Sequence, residues 1–263
     1  MHDYFRGLYY KCQSPAQTVA VIPAVHGNSR SIQLITDSGA WNFTEYSKCN
    51  SFGTDGFSID LHSDKISAVG DIRFGKLSPI RYDIMGPFKY VPFMECRHSV
   101  VSMRHSVNGN ICINGTQYNF KNALGYIEGD RGRSFPKKYI WTQCFFDGGS
   151  LMLCAGDIPF ACLHFTGVIC AILIHGKEYR LATYLGAKAE IIADGKIVIR
   201  QGRDVFSAAL IEKHAHPLNA PVNGNMMRTI HESASCCAAY RFEKDGCLML
   251  DFQTEKASFE FEY

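Results

Sequence analysis

Residues 102–113, SMRHSVNGNICI, read as strand, turn, strand. The Asn-Gly pair at 108 favours a hairpin turn because both central residues tolerate positive φ. Asn-Gly or Asp-Gly recurs at 55, 114, 147, 194, 223 and 245, and the runs Gly195 to Arg200 and Cys247 to Phe252 follow their turns as strands. The C-terminus alternates: Ala257, Phe259, Phe261 and Tyr263 share an apolar face, while Ser258, Glu260 and Glu262 share a wet one. No window gives a long, capped amphipathic helix. The expected class is all-β, with strands spaced as in barrels or sandwiches.

The 263 residues carry 46% hydrophobic and 20% charged side chains, which fits a well-buried globular protein. A net charge of +2 and no basic run with interleaved aromatics argue against a nucleic-acid partner. The 11 cysteines are an odd number and include no C-x-x-C, so neither a zinc ribbon nor a disulfide framework is indicated. Reduced, mostly buried thiols in a cytoplasmic protein are expected. No signal peptide is visible at MHDYFRGLYY. The apolar stretch Phe160 to Ile174 is too short to span a bilayer and reads as core strand. Pro136 breaks a strand, and a boundary there gives domains at residues 1–133 and 134–263, without a sequence repeat between them.

Chemistry-bearing groups are densest from Gly125 to Gln143, GYIEGDRGRSFPKKYIWTQ. Glu128 and Asp130 lie two apart, so an extended segment puts both on one face. Neighbouring carboxylates raise one another's pKa, and nearby Arg131, Arg133, Lys137 and Lys138 act in the opposite sense. Tyr139, Trp141 and Gln143 share a face as pocket wall or core. Upstream, Val101, Met103, His105 and Val107 share an apolar side opposite His98, Ser102, Arg104 and Ser106. His105 thus reads as a buried base or a backbone-bonded core histidine. Asp83, Glu95 and Arg97 read as supporting partners or a structural ion pair. His214 and His216, i and i+2 on a strand, invite a metal reading with His231 or Glu232, but no firm ligand spacing supports it.

Four segments resemble the tocopherol cyclase-like family, which includes plant and cyanobacterial tocopherol cyclases: FRGLYY (5–10), YDIMGPF (82–88) with PFMECRHSVVSMRH after it, EGDRGRSFPKKYIW (128–141) and NMMRTIHES (225–233). The resemblance implies two lipocalin-like antiparallel β-barrel domains packed together. It also implies cofactor-free, metal-free chemistry that closes a chroman ring on a prenylated aromatic, an intramolecular lyase reaction of the isomerase class. Leu8 and Arg131 stand where the family usually has tryptophan, and Arg6 where an acid is common, which points to a more polar or anionic ligand.

Ring closure of a prenyl quinol needs a strong acid to protonate an alkene and a shelter for the cation. On this reading Asp130 or Glu128 is the acid and His105 assists. Tyr9, Tyr139 and Trp141 line the pocket, Arg131 and Arg133 hold an anionic group, Arg97 supports them and His231 faces the ligand. The alternatives are a non-catalytic carrier of an apolar ligand and an alkene hydratase using the same acid. The expected partner is a hydrophobic small molecule. Peripheral membrane contact is compatible with such substrates.

Overall fold

The computed structural model describes residues 4–44, 49–64, 66–92, 94–160 and 163–263. The chain divides into two compact units. The first holds Met1–Ile80, Cys96–Ser134 and Leu218–Thr229; the second holds Arg81–Glu95, Phe135–Pro217 and Ile230–Tyr263. Among the described residues the only helical segments are two short 3-10 turns, and no helix is long and apolar enough to cross a membrane.

Unit 1 is built on β1 (Phe5–Gln13), β2 (Thr18–His26), β3 (Ser29–Thr36), β4 (Gly39–Thr44), β5 (Ser51–Phe52), β6 (Gly56–His62), β7 (Ser67–Phe74), β8 (Cys96–Ile113) and β9 (Thr116–Gly132). Unit 2 is built mainly on β10 (Tyr139–Phe146), β11 (Gly149–Phe160), β12 (Leu163–Ile174), β13 (Lys177–Ala182), β14 (Lys188–Ala193), β15 (Lys196–Gln201) and β16 (Asp204–Glu212). It is completed by much of β18 (Asn225–Lys244) and by β19 (Cys247–Glu262); β17 (His216–Val222) hairpins onto β18.

The sheet orders are β4-β3-β2-β1-β9-β8-β7-β6-β5 and β13-β12-β11-β10-β19-β18-β16-β15-β14. In each, the opening strand pairs with the closing one and hairpins run outward on both sides. The halves therefore share a topology that their sequences do not display as a repeat.

Both sheets curl tightly. Tyr10 on β1 and Phe52 on β5 are five strand steps apart, about 24 Å on a flat sheet, yet their ring centroids lie 5.9 Å apart. Tyr179 on β13 and Phe242 on β18 are likewise five steps apart and meet at 5.6 Å. The curl buries one apolar cluster per unit, centred on Tyr10, Phe57, Ile72 and Ile127 in unit 1 and on Ile140, Phe206, Tyr240 and Phe259 in unit 2.

The expected closed barrels are not formed: these are open sheets curled into cups. In unit 1 the edge strand β5 has only two residues, too few for a closing ladder. In unit 2 a side chain spans the gap. Gln201 on β15 accepts from the Ala182 amide (3.0 Å) and donates to the Arg180 carbonyl (3.2 Å), both on β13.

The dipeptides at 55, 114, 147, 194, 223 and 245 sit at hairpin turns. Asn108-Gly109 does not. Gly109 has φ +131 inside continuous β8, where the β8–β9 register shifts between Val107 and Gly109, so the glycine makes a bulge. The C-terminal wet face is also absent, since Ser258 and Glu260 are buried.

The YDIMGPF segment belongs to unit 2. Arg180 donates to the carbonyls of Tyr82 (2.9 Å) and Asp83 (3.0 Å) and stacks over the Tyr82 ring at 3.7 Å. The Tyr184 hydroxyl donates to the Ile84 carbonyl at 3.0 Å. Gly86 has φ +52 and lies against the Tyr184 ring, where an added Cβ would come within 2.6 Å. Only glycine suits that position.

Candidate active site

The β8–β9 ladder assembles an acid–base cluster within unit 1. Opposite residues on paired strands share a face. Tyr9 of β1 stands opposite Glu128 of β9, Glu128 opposite Val100 of β8, and Asp130 opposite His98. Alternation puts Leu8, Tyr10, Ile127 and Gly129 on the cup's inner face, against the core cluster. Tyr9, Lys11, Tyr126, Glu128, Asp130 and His98 therefore lie on the outer face. That face is nonetheless buried, Lys11 completely.

His98 sits between the two acids. Its Nδ1 lies 3.0 Å from Asp130 Oδ1 as a hydrogen bond. Its Nε2 lies 3.2 Å from Glu128 Oε2, a close ionic contact whose angle falls short of a hydrogen bond. The Tyr126 hydroxyl donates to the same Glu128 oxygen at 2.6 Å, and Cys96 Sγ reaches Asp130 Oδ1 at 3.5 Å. The side chains of His98 and Glu128 are 7% and 6% exposed, that of Asp130 22%. Glu128 is shut away from solvent, and Asp130 is the more accessible of the two acids.

Burial alone would lower the His98 pKa. The facing charges of Glu128 and Asp130, with the Asp130 hydrogen bond, outweigh burial and hold it well above the ordinary histidine value. His98 is therefore an imidazolium at neutral pH, with Glu128 and Asp130 on either side of the ring. Burial, then the Glu128 charge and hydrogen bond, push the Tyr126 hydroxyl well above 10, so it stays a donor. The ligand atoms of His98, Glu128 and Asp130 lie within 4.8 Å of one another. They are near enough to share a metal ion, which would have to displace the imidazole from at least one carboxylate.

His105 is not part of this cluster. It faces the inside of the cup, edge-on to Phe74 at 4.7 Å, with Nδ1 2.9 Å from Ser102 Oγ. Burial lowers its pKa to about 4, so it is neutral at physiological pH. Strict alternation puts Ser102 on the opposite side. Register shifts between Val100, Ser102 and His105 turn the two inward together. The cup beside them is filled by the rings of Tyr10, Phe52, Phe57 and Phe74, which leaves His105 a core histidine bonded to serine.

The other expected residues are dispersed. Tyr139 and Trp141 are buried on β10 of unit 2, on the face opposite that of Ile140 and Cys144, and the Tyr139 hydroxyl donates to Glu260. His231 is exposed in unit 2, its amide bonded to Glu262 Oε1 at 3.0 Å. Arg133 is exposed, and its carbonyl accepts from the Gly224 amide at 2.7 Å. Arg97 and Arg131 stand opposite each other on β8 and β9, on the inner-face side of the sheet. Sequence reasoning gave no role to His98 or Tyr126. Tyr126, two residues before Glu128, could have been found by alternation.

A model of the tocopherol cyclase-like family matches residues 65–198. Among curated proteins, none matches the chain. In fold the chain is similar to kievitone hydratase from Nectria haematococca, with TM-score 0.56 and 8% identity over 98% of this chain and 88% of that one. It is also similar to CghA, with TM-score 0.59 and 9% identity over 99% of this chain and 88% of that one.

Proposed function

The chain belongs to the tocopherol cyclase-like family, and from that premise we propose that it is a cofactor-independent acid catalyst that cyclises or isomerises a hydrophobic, prenylated-quinol-like substrate. The observation that carries this reading is the buried His98 imidazolium between Glu128 and Asp130. The cluster holds a proton away from water, beside carboxylates that stabilise positive charge next to it.

In the proposed reaction a proton passes from this cluster to the less substituted alkene carbon and leaves a tertiary cation. The phenol oxygen forms the new C–O bond, and its proton returns to the cluster. Atoms balance as an isomerisation. Tyr9, opposite Glu128 on the same face, supplies an aromatic face that can stabilise the cation by roughly 0.5–2 kcal/mol. The paired carboxylates keep positive charge favourable throughout.

The fold likeness to a protein named as a hydratase supports a second reading, in which water replaces the phenol oxygen and the same acid serves. The folded protein should therefore be given a short-chain prenyl quinol while binding and product are followed together. A chroman supports cyclisation and an added water supports hydration. Binding without either product would replace both with a carrier.

A further inference from the structure

A row of arginines crosses unit 1 at one end of its sheet. Direct strand partners run Arg30 on β3, Val25 on β2, Arg6 on β1, Arg131 on β9 and Arg97 on β8. All five share one face, and neighbouring strands are about 4.8 Å apart. This is the inner face, one rung above the packed cluster: the Arg6 charge reaches the Tyr10 hydroxyl, whose pKa burial raises to about 12 and Arg6 pulls down. The row lies within two residues of the β2–β3 turn, the start of β8 and the end of β9, so it forms a rim of the cup.

Like charges directly opposite on a sheet are destabilising, and a guanidinium cannot shed its charge. Arg6, Arg30 and Arg131 are exposed and make no ion pair among the described residues. Asp55, whose charge also reaches Tyr10, pairs with none of them. Val25, between Arg30 and Arg6, is 45% exposed. The sheet holds uncompensated positive charge in fixed register, with planar forks suited to oxyanions.

We infer that this rim binds a phosphate-type oxyanion through Arg6, Arg131 and Arg30, at a site separate from the acid cluster on the sheet's other face. Asp130 and Arg131 are consecutive but project to opposite sides, so the anion held here is not the group protonated there. A free phosphate and a phospholipid headgroup present the same chemistry.

The test compares wild type with the double variant Arg6→Gln, Arg131→Gln. The probes are inorganic pyrophosphate, by calorimetry, and vesicles of phosphatidylglycerol or phosphatidylcholine, by co-sedimentation. Wild type should bind pyrophosphate or the anionic vesicles, losing either with added salt, and the double variant should bind at least about tenfold more weakly. Binding of anionic vesicles alone assigns a lipid headgroup; binding of pyrophosphate assigns a free anion. Without ligand the variant's melting temperature should rise, because cross-strand repulsion is relieved. Binding of neither probe by wild type, undiminished binding by the variant, or a fall in the variant's melting temperature overturns the inference.

Discussion

His98 and Asp130 face each other across the β8–β9 ladder, with Nδ1 3.0 Å from Oδ1 and Glu128 on the ring's other nitrogen. The ring is the cation that makes two buried carboxylates tolerable. His98→Gln should therefore destabilise the protein by about 3–5 kcal/mol near pH 8. The loss should be at least as large at pH 6, where the contribution of His98 is complete. Urea unfolding of wild type and variant at pH 6 and pH 8 checks this; a smaller loss at pH 6 than at pH 8 would mean that His98 does not balance the acids.

The two buried histidines of unit 1 should shape stability in opposite directions. The folded-state pKa of His98 is raised, so its contribution is complete below the unfolded value of about 6.5. It is lost as pH climbs through the folded value. His105 is depressed to about 4, so its contribution is complete above about 6.5 and lost as pH falls toward 4. Unfolding measured from pH 4 to pH 9 should show both limbs. His98→Gln should flatten the alkaline one and His105→Gln the acid one.

Gln201 stands in for a ladder residue between β13 and β15. Gln201→Leu leaves the Ala182 amide and the Arg180 carbonyl without these partners, at a cost of about 1–3 kcal/mol. Hydrogen exchange at the Ala182 amide should speed up well before exchange in β10 does. Unchanged exchange there would show that the seam is held by other contacts.

Gly86→Ala should lower the melting temperature. It forces a positive φ on a residue with a Cβ, about 1–2 kcal/mol, and drives that Cβ into the Tyr184 ring. Pairing it with Tyr184→Ala should restore only the steric part. A stable single variant would mean that the segment after Tyr82 is not clamped on Arg180 and Tyr184.

The turn dipeptides made the all-β class legible, and alternation correctly placed Glu128 with Asp130 on one face. The partner of those acids was not legible, because β8 carries bulges. A regular ladder counted outward from the Asn114-Gly115 turn sets His98 opposite Arg131; the register shifts move it one residue, opposite Asp130. The same shifts turned Ser102 inward beside His105. Burial of Ser258 and Glu260 was hidden for a different reason: alternation reports which face a residue takes, not whether that face is covered. The curl that brings Tyr10 to Phe52 arises from contacts far apart in sequence, which no local pattern encodes.

Proton delivery from the His98 cluster is the central step of the proposed reaction. The most direct measurement is single turnover of a short-chain prenyl quinol in D2O by wild type and Asp130→Asn, with the product weighed by mass spectrometry. Wild type should give a chroman carrying one carbon-bound deuterium, and the variant should form it about a hundredfold more slowly. The same labelled product at the same rate from both proteins would contradict the account.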